Sequence, residues 1–432
     1  MTYAETIDYL YSAAPLFQNI GAGAYKEGLS TTHVLDAHFG HPHGKFDTIH
    51  VGGTNGKGST SHTLAAILQA AGFKVGLYTS PHLVDFRERI RVDGEPISQD
   101  RVIEFVEQER SFFEPLHPSF FELTTALAFK YFAEQGVDVA VIEVGLGGRL
   151  DCTNIISPLL SIITNISLDH TQFLGDTLGQ IAREKAGIIK PHTPCIIGQS
   201  LAETRPVFES VAQSAQAELF FADEFPDFAA QQQADGVWHY TTRQFGEFDG
   251  ALRGACQQWN ARTVVTALQH LPERYRQRLT PEIVCRGFAE VTSLTGLMGR
   301  WQILQDQPLV VCDTGHNLDA WQHLAPQLQA LDATQLHIVL GASGDKDVRH
   351  ILELMPCDAR YYFTQASVAR ALPVATLCQL ADEIGLRGAS YDTVDAAIEA
   401  AHAAATPSDA IFIGGSSFVV ADCLASSQRY RI

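Results

Sequence analysis

Basic residues are scarce in this chain: 30 Lys and Arg stand against 49 Asp and Glu, a formal net charge of −19. A nucleic-acid-binding face needs the opposite field, so nucleic acid is not an expected partner. No apolar run reaches the ~18 residues that a membrane-spanning helix needs. The opening "MTYAETIDYLYSAAP" lacks a basic region followed by an apolar core, so no signal peptide is expected. The 8 cysteines contain no Cys-x-x-Cys and are scattered, mostly inside apolar runs. That removes the spacing support for zinc and points to reduced, structural thiols in a cytoplasmic protein. Short-period repeats and low-complexity segments are also missing.

What is present is ordinary globular composition, 46% hydrophobic and 18% charged, over 432 residues. That length exceeds one ordinary core, so two domains are expected. Short apolar, β-branched runs alternate with helical patterns. "FDTIHV" (46–51), "KVGLYTS" (74–80), "VDVAVIEVG" (137–145), "LLSIITNIS" (159–167) and "PCIIGQ" (194–199) read as strands. Their continuous rather than alternating character predicts a mainly parallel sheet covered on both faces. "STSHTLAAILQAAG" places Leu64, Ile67, Leu68 and Ala71 on one helical face, with Gly72 as its stop. "AELFFADEF" and "VWHYTTRQF" read as hairpin material, and "CQQWNARTVVTALQHL" (256–271) returns to a helix. The rhythm restarts with "PLVVCDTG" (308–315), "LHIVLGAS" (336–343), "ARYYFTQA" (359–366) and "DAIFIGG" (409–415). The small-residue stretch "VTSLTGLMGR" (291–300) precedes that restart. It sets the expected domains at 1–295, a larger α/β domain that holds the glycine loop, and 296–432, a smaller α/β domain.

The stretch "HVGGTNGKGSTSH" (50–62) carries the clearest chemistry. A standard phosphate loop reads G-x-x-x-x-G-K-[ST]. Here Gly52 precedes Gly56-Lys57 by one residue too few, and Gly58 separates Lys57 from Ser59. The physics survives this change. Glycines let backbone N–H groups turn inward, and Ser59 opens a helix whose N-terminus favours anions. Lys57 reaches toward terminal phosphates, and Ser59 or Thr60 offers a hydroxyl to Mg²⁺. The bland alternative is a glycine-rich turn that binds nothing, which leaves the lysine and both hydroxyls unexplained. Ligands in open parallel sheets bind beyond the carboxyl ends of strands. Ser80, Glu143 and His170 all fall at such ends. Mg²⁺ prefers oxygen, so Glu143 suits it directly and a histidine is the less usual ligand. A carboxylate at the end of an apolar strand also needs a partner or a metal.

The segments "GGTNGKGST", "YTSPHL", "FFELTTALAF", "EVGLGGRLDCTN", "LDHTQFLGDTLGQIAREKAGIIK", "GRWQ" and "DTGHN" follow in that order. Together they closely resemble the folylpolyglutamate synthase/dihydrofolate synthase branch of the Mur ligase superfamily. The resemblance runs to "GGSSF" near the C-terminus, and "TNGKGS" and "EVGLGGRLD" are specific to the folate branch. It implies an ATPase domain, a smaller Rossmann-like domain and ATP held between them. The implied reaction moves the γ-phosphoryl of ATP to a carboxylate of dihydropteroate or of a folate glutamate tail. L-glutamate then displaces phosphate to form an amide.

Carried over by position, Thr54, Asn55, Gly56, Lys57, Gly58, Ser59 and Thr60 resemble the ATP-phosphate loop. Ser80, Glu143 and His170, with Ser59, resemble magnesium ligands. Asn260 resembles an adenine contact, Arg300 and Asp313 nucleotide contacts, and His316 a residue near the glutamate site. Ser119, Phe120, Phe121 and Glu122 match the pterin-binding stretch, as do Leu150, Asp151 and Cys152. At least one of Phe120 and Phe121 is expected to stack on the pterin, although paired aromatics are more often core. Lys185 matches a lysine that related Mur ligases carbamylate. Beside Lys57 and Mg²⁺ its pKa is expected to fall, leaving an amine that reacts with CO₂; the bland reading is a lysine on an exposed helix. ATP and two Mg²⁺ are the implied cofactors, and a monomer the implied state. Thr314 and Cys152 depart from residues usual in the family, and neither removes a reacting group. "FQNIGAGAYKEGL" (17–29) does not decide between the two activities. A peptidoglycan-precursor ligase and a non-catalytic P-loop switch are the competing readings. The folate-type segments oppose the first, and the second domain opposes the other.

Overall fold

Eight short runs of mostly apolar residues build the first sheet of this protein, seen in a computed structural model that describes residues 1–13 and 28–426. Most of the 17–29 stretch lies outside the described residues. The strands are β1 (Asp47–Gly52), β2 (Val75–Tyr78), β3 (Ile90–Val92), β4 (Glu95–Pro96), β5 (Val139–Glu143), β6 (Leu160–Ile163), β7 (Cys195–Ile197) and β8 (Leu219–Phe221). Their spatial order is β4-β3-β2-β5-β1-β6-β7-β8. From β2 to β8 every neighbour is parallel. Strands buried on both faces carry no polar alternation, which is why β1, β2, β5 and β6 read as continuous apolar runs.

Two edges differ from the sequence reading. The β3–β4 hairpin is antiparallel and had no counterpart there. Its signal was present: Asp93 and Gly94 take φ of 50° and 82°, the positive pair that a two-residue hairpin turn requires. At the other edge, Leu219–Phe221 does not form a hairpin but adds parallel to β7. "VWHYTTRQF" does enter a hairpin, as β10 (Trp238–Thr242) between β9 (Phe228–Gln232) and β11 (Gly246–Gly250).

Helices cover both faces of the large sheet. On one face, helix Lys57–Ala70 packs with Gln257–Gln269, Pro281–Ala289 and the aromatic side of the small sheet, through Leu64, Ile67, Leu68, Val264, Val284 and Tyr240. On the other, Gln99–Phe113 and Phe120–Gln135 bury Phe105, Phe113, Phe129 and Phe132. Side-chain caps start these helices: Ser98 accepts from the Arg101 N–H, and Ser119 with Glu122 forms a reciprocal capping box.

Contacts divide the chain into Met1–Ala251 with Gln257–Leu297, and Leu252–Cys256 with Met298–Ile432. Residues 252–256, placed by sequence in the first domain, group with the second unit. The Ala255 N–H donates to Gln327 Oε1 at 2.7 Å, and Gln327 Nε2 donates to the Arg253 carbonyl at 3.0 Å. The second unit holds β12 (Gln302–Asp306), β13 (Leu309–Asp313), β14 (Leu336–Leu340), β15 (Arg360–Phe363), β16 (Gly388–Ser390) and β17 (Ala410–Gly414). Their order is β12-β13-β17-β14-β15-β16, parallel except for β12 at the edge. Among the described residues no helix is long and apolar enough to cross a membrane, and all eight cysteines are free thiols.

Candidate functional site

Sheet order decides which loops meet. β2, β5, β1 and β6 are consecutive neighbours and parallel, so their carboxyl ends form one row. Along that row lie Ser80, Glu143, the glycine loop 53–58 and the segment 164–170. This brings Ser80, Glu143, Lys57 and His170 to one edge of the sheet from four separate stretches of sequence.

The glycine loop is shaped by its neighbours. Gly53 sits at φ 138°, where a Cβ would collide with the Thr164 hydroxyl. Gly56 caps helix Lys57–Ala70 at φ 82°, and a Cβ there would strike Asn260 Oδ1. Both positions therefore demand glycine for backbone and for space. The β6 side supplies the ties. The Thr54 and Asn55 N–H groups donate to the Asn165 carbonyl (3.0 Å) and to Asn165 Oδ1 (2.8 Å). Thr164 Oγ1 donates to the Asn55 carbonyl at 2.5 Å, and Ser167 N–H donates to Thr54 Oγ1 at 3.1 Å. Gln257 Nε2 donates to Ser59 Oγ at 3.3 Å, and Gln257 Oε1 accepts from Asn260 Nδ2 at 2.9 Å. Sequence reasoning passed over Thr164, Asn165, Ser167 and Gln257. For Thr164, Asn165 and Ser167 the visible signal was polar residues directly after an apolar strand.

Two lysines meet on one carbonyl. Lys57 Nζ donates to the Gly53 and Thr54 carbonyls at 3.0 and 2.9 Å. Lys185, from helix Leu178–Ala186, donates to the same Gly53 oxygen at 2.8 Å. Lys185 is only 5% exposed, which removes the reading of a lysine on an exposed helix. Burial, with the Lys57 charge second, lowers its pKa to about 7. The expected fall is therefore present, with desolvation rather than a neighbouring cation as the larger cause.

Glu143 ends β5 almost wholly buried and accepts the Ser80 N–H at 3.1 Å. His170 precedes helix Thr171–Leu174 at φ 50°, with its N–H on Asp169 Oδ1 at 2.8 Å. A buried carboxylate next to a residue that carries a hydroxyl is the kind of oxygen donor set that Mg²⁺ takes. The residues present fit that ion.

The Mur ligase middle domain matches residues 51–224 and the Mur ligase glutamate ligase domain residues 299–417. A folylpolyglutamate synthase from Lacticaseibacillus casei is 33% identical, over 87% of this chain and 88% of that protein. The chain belongs to the folylpolyglutamate synthase/dihydrofolate synthase family of Mur ligases. It is an ATP-dependent ligase. Escherichia coli FolC in complex with DHPP and ADP superposes with a TM-score of 0.80 at 31% identity, covering 98% of this chain and 96% of that one. A bifunctional folylpolyglutamate synthase/dihydrofolate synthase with Mn, AMPPNP and L-glutamate bound gives 0.82 at 28%, covering 99% and 98%. The chain spans about half, 51%, of a longer bifunctional relative from Haloferax volcanii.

In this ligase the segment after β5 is held by one carboxylate. Asp151 Oδ2 accepts the Gly145 and Leu146 N–H groups at 3.0 and 2.9 Å. Its Oδ1 accepts the Thr153 N–H at 3.0 Å and the Thr153 hydroxyl at 2.5 Å. Burial raises the Asp151 pKa, and these bonds oppose the rise. Leu150 and Cys152 flank it, partly buried, and burial pushes the Cys152 thiol well up. Ser119 and Glu122 are committed to each other: the Ser119 N–H donates to Glu122 Oε2 at 2.7 Å, and the Glu122 N–H to Ser119 Oγ at 3.2 Å. The S-x-x-E spacing carried that capping signal in the sequence. Phe120 is core, 2% exposed, against Phe86, Tyr11 and the Arg89 guanidinium. Phe121 keeps accessible surface, lies 5.8 Å from the Tyr78 ring and covers Gly145. Of the pair, Phe121 is the one that keeps accessible surface.

In the second unit, the β13 end carries Asp313. Its Oδ2 accepts the Trp301 N–H at 2.7 Å and its Oδ1 the Gly315 N–H at 2.8 Å. Burial raises its pKa, with the Arg300 charge opposing. Arg300 donates to the Thr314 hydroxyl and to the Gly299 carbonyl. His316 Nδ1 lies 3.1 Å from the Thr314 carbonyl. The unusual threonine at 314 thus gives Arg300 a partner.

Proposed function

We propose that this ligase joins L-glutamate to dihydropteroate, to the terminal glutamate of a reduced folate, or to both. A substrate carboxylate oxygen attacks the γ-phosphorus of ATP, ADP leaves, and an acyl phosphate results. The glutamate amine then attacks the acyl carbon, loses a proton and expels inorganic phosphate. The first step makes a leaving group where the carboxylate had none, and positioning with charge neutralisation speeds it.

The observation that carries this reading is the pair of lysine amines on the Gly53 carbonyl, at the head of a helix N-terminus and one strand from Glu143. Backbone N–H groups of Gly56 to Gly58 hold the phosphates, with Thr54 and Asn55 fixing the loop through Asn165 and with Ser59 and Thr60 at the helix start. Lys57 swings from its carbonyls to the transferring phosphoryl group. Ser80, Glu143 and His170, with Ser59, hold Mg²⁺, which supplies neutralising charge. Lys185, as a neutral amine, would add to CO₂ with formation of an N–C bond and loss of a proton, and the carbamate would supply oxygen donors suited to a second Mg²⁺. Asn260, already against Gly56, takes the adenine side. Arg300 and Asp313 are assigned to the nucleotide and His316 to glutamate on the family resemblance. Phe121, with Leu150 to Cys152, takes the pterin. The enzyme acts as a cytoplasmic monomer.

ADP release tests the reading directly. It is expected to require L-glutamate together with dihydropteroate or tetrahydrofolate. Release independent of an acceptor would indicate a switch, and turnover with only a UDP-sugar peptide would indicate the other ligase class.

A further inference from the structure

His50 lies in β1, three residues before Gly53, and is fully buried. Burial pushes its imidazole down to about 3, so it is neutral at any working pH. Its Nε2 lies 2.8 Å from Thr153 Oγ1. Among the described residues its Nδ1 has no hydrogen-bond partner.

Hydrogen-bond accounting fixes the direction of this contact. Thr153 has a single hydroxyl proton, and Oγ1 stands 2.5 Å from Asp151 Oδ1. The Asp151 carboxylate already accepts three backbone N–H groups, from Gly145, Leu146 and Thr153. It is an acceptor at both oxygens, so the Thr153 proton points to it. The Thr153 oxygen then receives from His50, which must carry its proton on Nε2. The chain runs His50 Nε2–H to Thr153 Oγ–H to Asp151 Oδ1.

The same accounting exposes a cost. With the proton on Nε2, Nδ1 is an acceptor, and it is buried without a donor. Such a group destabilises the fold, and a leucine there would not. A purely structural side chain at this depth of an apolar strand has no need of either nitrogen. What the nitrogen at Nε2 does is aim the Thr153 hydroxyl at Asp151, which gathers the turn directly after Glu143 and beneath Phe121.

We propose that His50 is a positioning residue for the pterin end of the substrate, acting through Thr153 on Asp151 and the 145–151 turn. This rests on the folate reading above. Without its donor the Thr153 hydroxyl keeps Asp151 as its one side-chain partner, and the Asp151 carboxylate and the Gly145 turn are held less firmly in place. Recognition of the pterin weakens, while the glycine loop, tied from the β6 side, keeps its grip on ATP.

Full-length wild type, His50→Leu and His50→Gln are compared by KM and kcat for dihydropteroate and for ATP, and by thermal melting. His50→Leu is expected to melt at or above the wild-type temperature. It is expected to raise KM for dihydropteroate about tenfold, the scale of a small misplacement of a binding group, and to leave KM for ATP unchanged. His50→Gln, whose amide can donate to Thr153, should recover most of the lost affinity. An unchanged dihydropteroate KM in His50→Leu overturns the proposal. So does a lowered melting temperature with both KM values raised together, the mark of a merely structural residue. Wild-type turnover is the control: if the wild type does not use dihydropteroate or a folate, the folate reading fails instead. The relay is then read from ¹⁵N-histidine NMR, where a protonated Nδ1 with bare Nε2 at residue 50 overturns it.

Discussion

Adjacent strands β1 and β5 end in loops held by opposite means. The loop after β1 turns carbonyls toward two amines: Gly53 accepts from both Lys57 and Lys185, and Thr54 from Lys57. Its fixing bonds come from Thr164, Asn165 and Ser167, in the segment that follows β6. The loop after β5 turns amides toward one carboxylate of its own, Asp151. The first is a cationic site whose amines are parked on weak acceptors that an anion can replace. The second is a closed anionic centre with its acceptors already filled. A mobile charge and a fixed scaffold are thereby placed one strand apart. Phosphoryl transfer to a positioned carboxylate needs both.

Removing an amine from the first loop should have the largest effect. Lys185→Ala is expected to be inactive and partly restored by a short-chain carboxylate such as acetate, which replaces the carbamate oxygens. Wild-type ADP release in that variant would remove Lys185 from the mechanism. Lys57→Ala should remain folded and lose about a hundredfold or more in kcat, the scale of one charge contact made in the transition state. Near-normal turnover would dissolve the assignment of the loop.

The second loop should answer in stability rather than in rate alone. Asp151→Ala strands three backbone N–H groups and the Thr153 hydroxyl, and should cost about 3 kcal/mol in urea unfolding. A loss no larger than that of an exposed Asp would show that the carboxylate is not its scaffold. Gly56→Ala meets both a positive φ and the Asn260 amide, so a loss of about 1–2 kcal/mol is expected, with weakened ATP binding measured by calorimetry.

The smallest effect is a pH slope. Lys185 titrates near 7 when folded and near 10.5 when unfolded. Between those values the unfolded chain binds the extra proton, so stability rises with pH across that window. Below pH 7 both states are protonated and the burial cost of the charge is fully present. In CO₂-free buffer, Lys185→Met should be more stable than wild type at pH 6. Its advantage should shrink by up to about 1.4 kcal/mol per pH unit above pH 7. A difference that does not change with pH would mean that the amine is not desolvated.

The alternation of strands and helices was legible because each depends on local pattern. β1, β2, β5 and β6 are runs of residues with both faces buried, and helix Lys57–Ala70 shows its apolar stripe directly. The edge strands were not. β3 and β4 contain Arg91 and Glu95, and β8 is only partly buried, so a hydrophobic pattern alone misassigns or omits them. The chemistry was legible where it is local, in the spacing of Gly52, Gly56, Lys57 and Ser59. The S-x-x-E of Ser119 and Glu122 was equally local, and the structure spends it on a helix cap.

By itself, then, the sequence determined the glycine loop with its lysine, the parallel character of the strands and the two-part α/β plan. These follow from φ preferences, one-turn spacings and apolar runs, which act over a few residues. Only the tertiary structure decided the rest. Sheet order put β5 and β6 on either side of β1, and so brought Lys185 to a carbonyl 132 residues away. The same packing drove its pKa to about 7. It buried His50 against Thr153, chose Phe121 over Phe120 as the accessible ring, and moved residues 252–256 into the second unit. Burial and desolvation are sums over neighbours from distant parts of the chain, and no local window of sequence contains those neighbours.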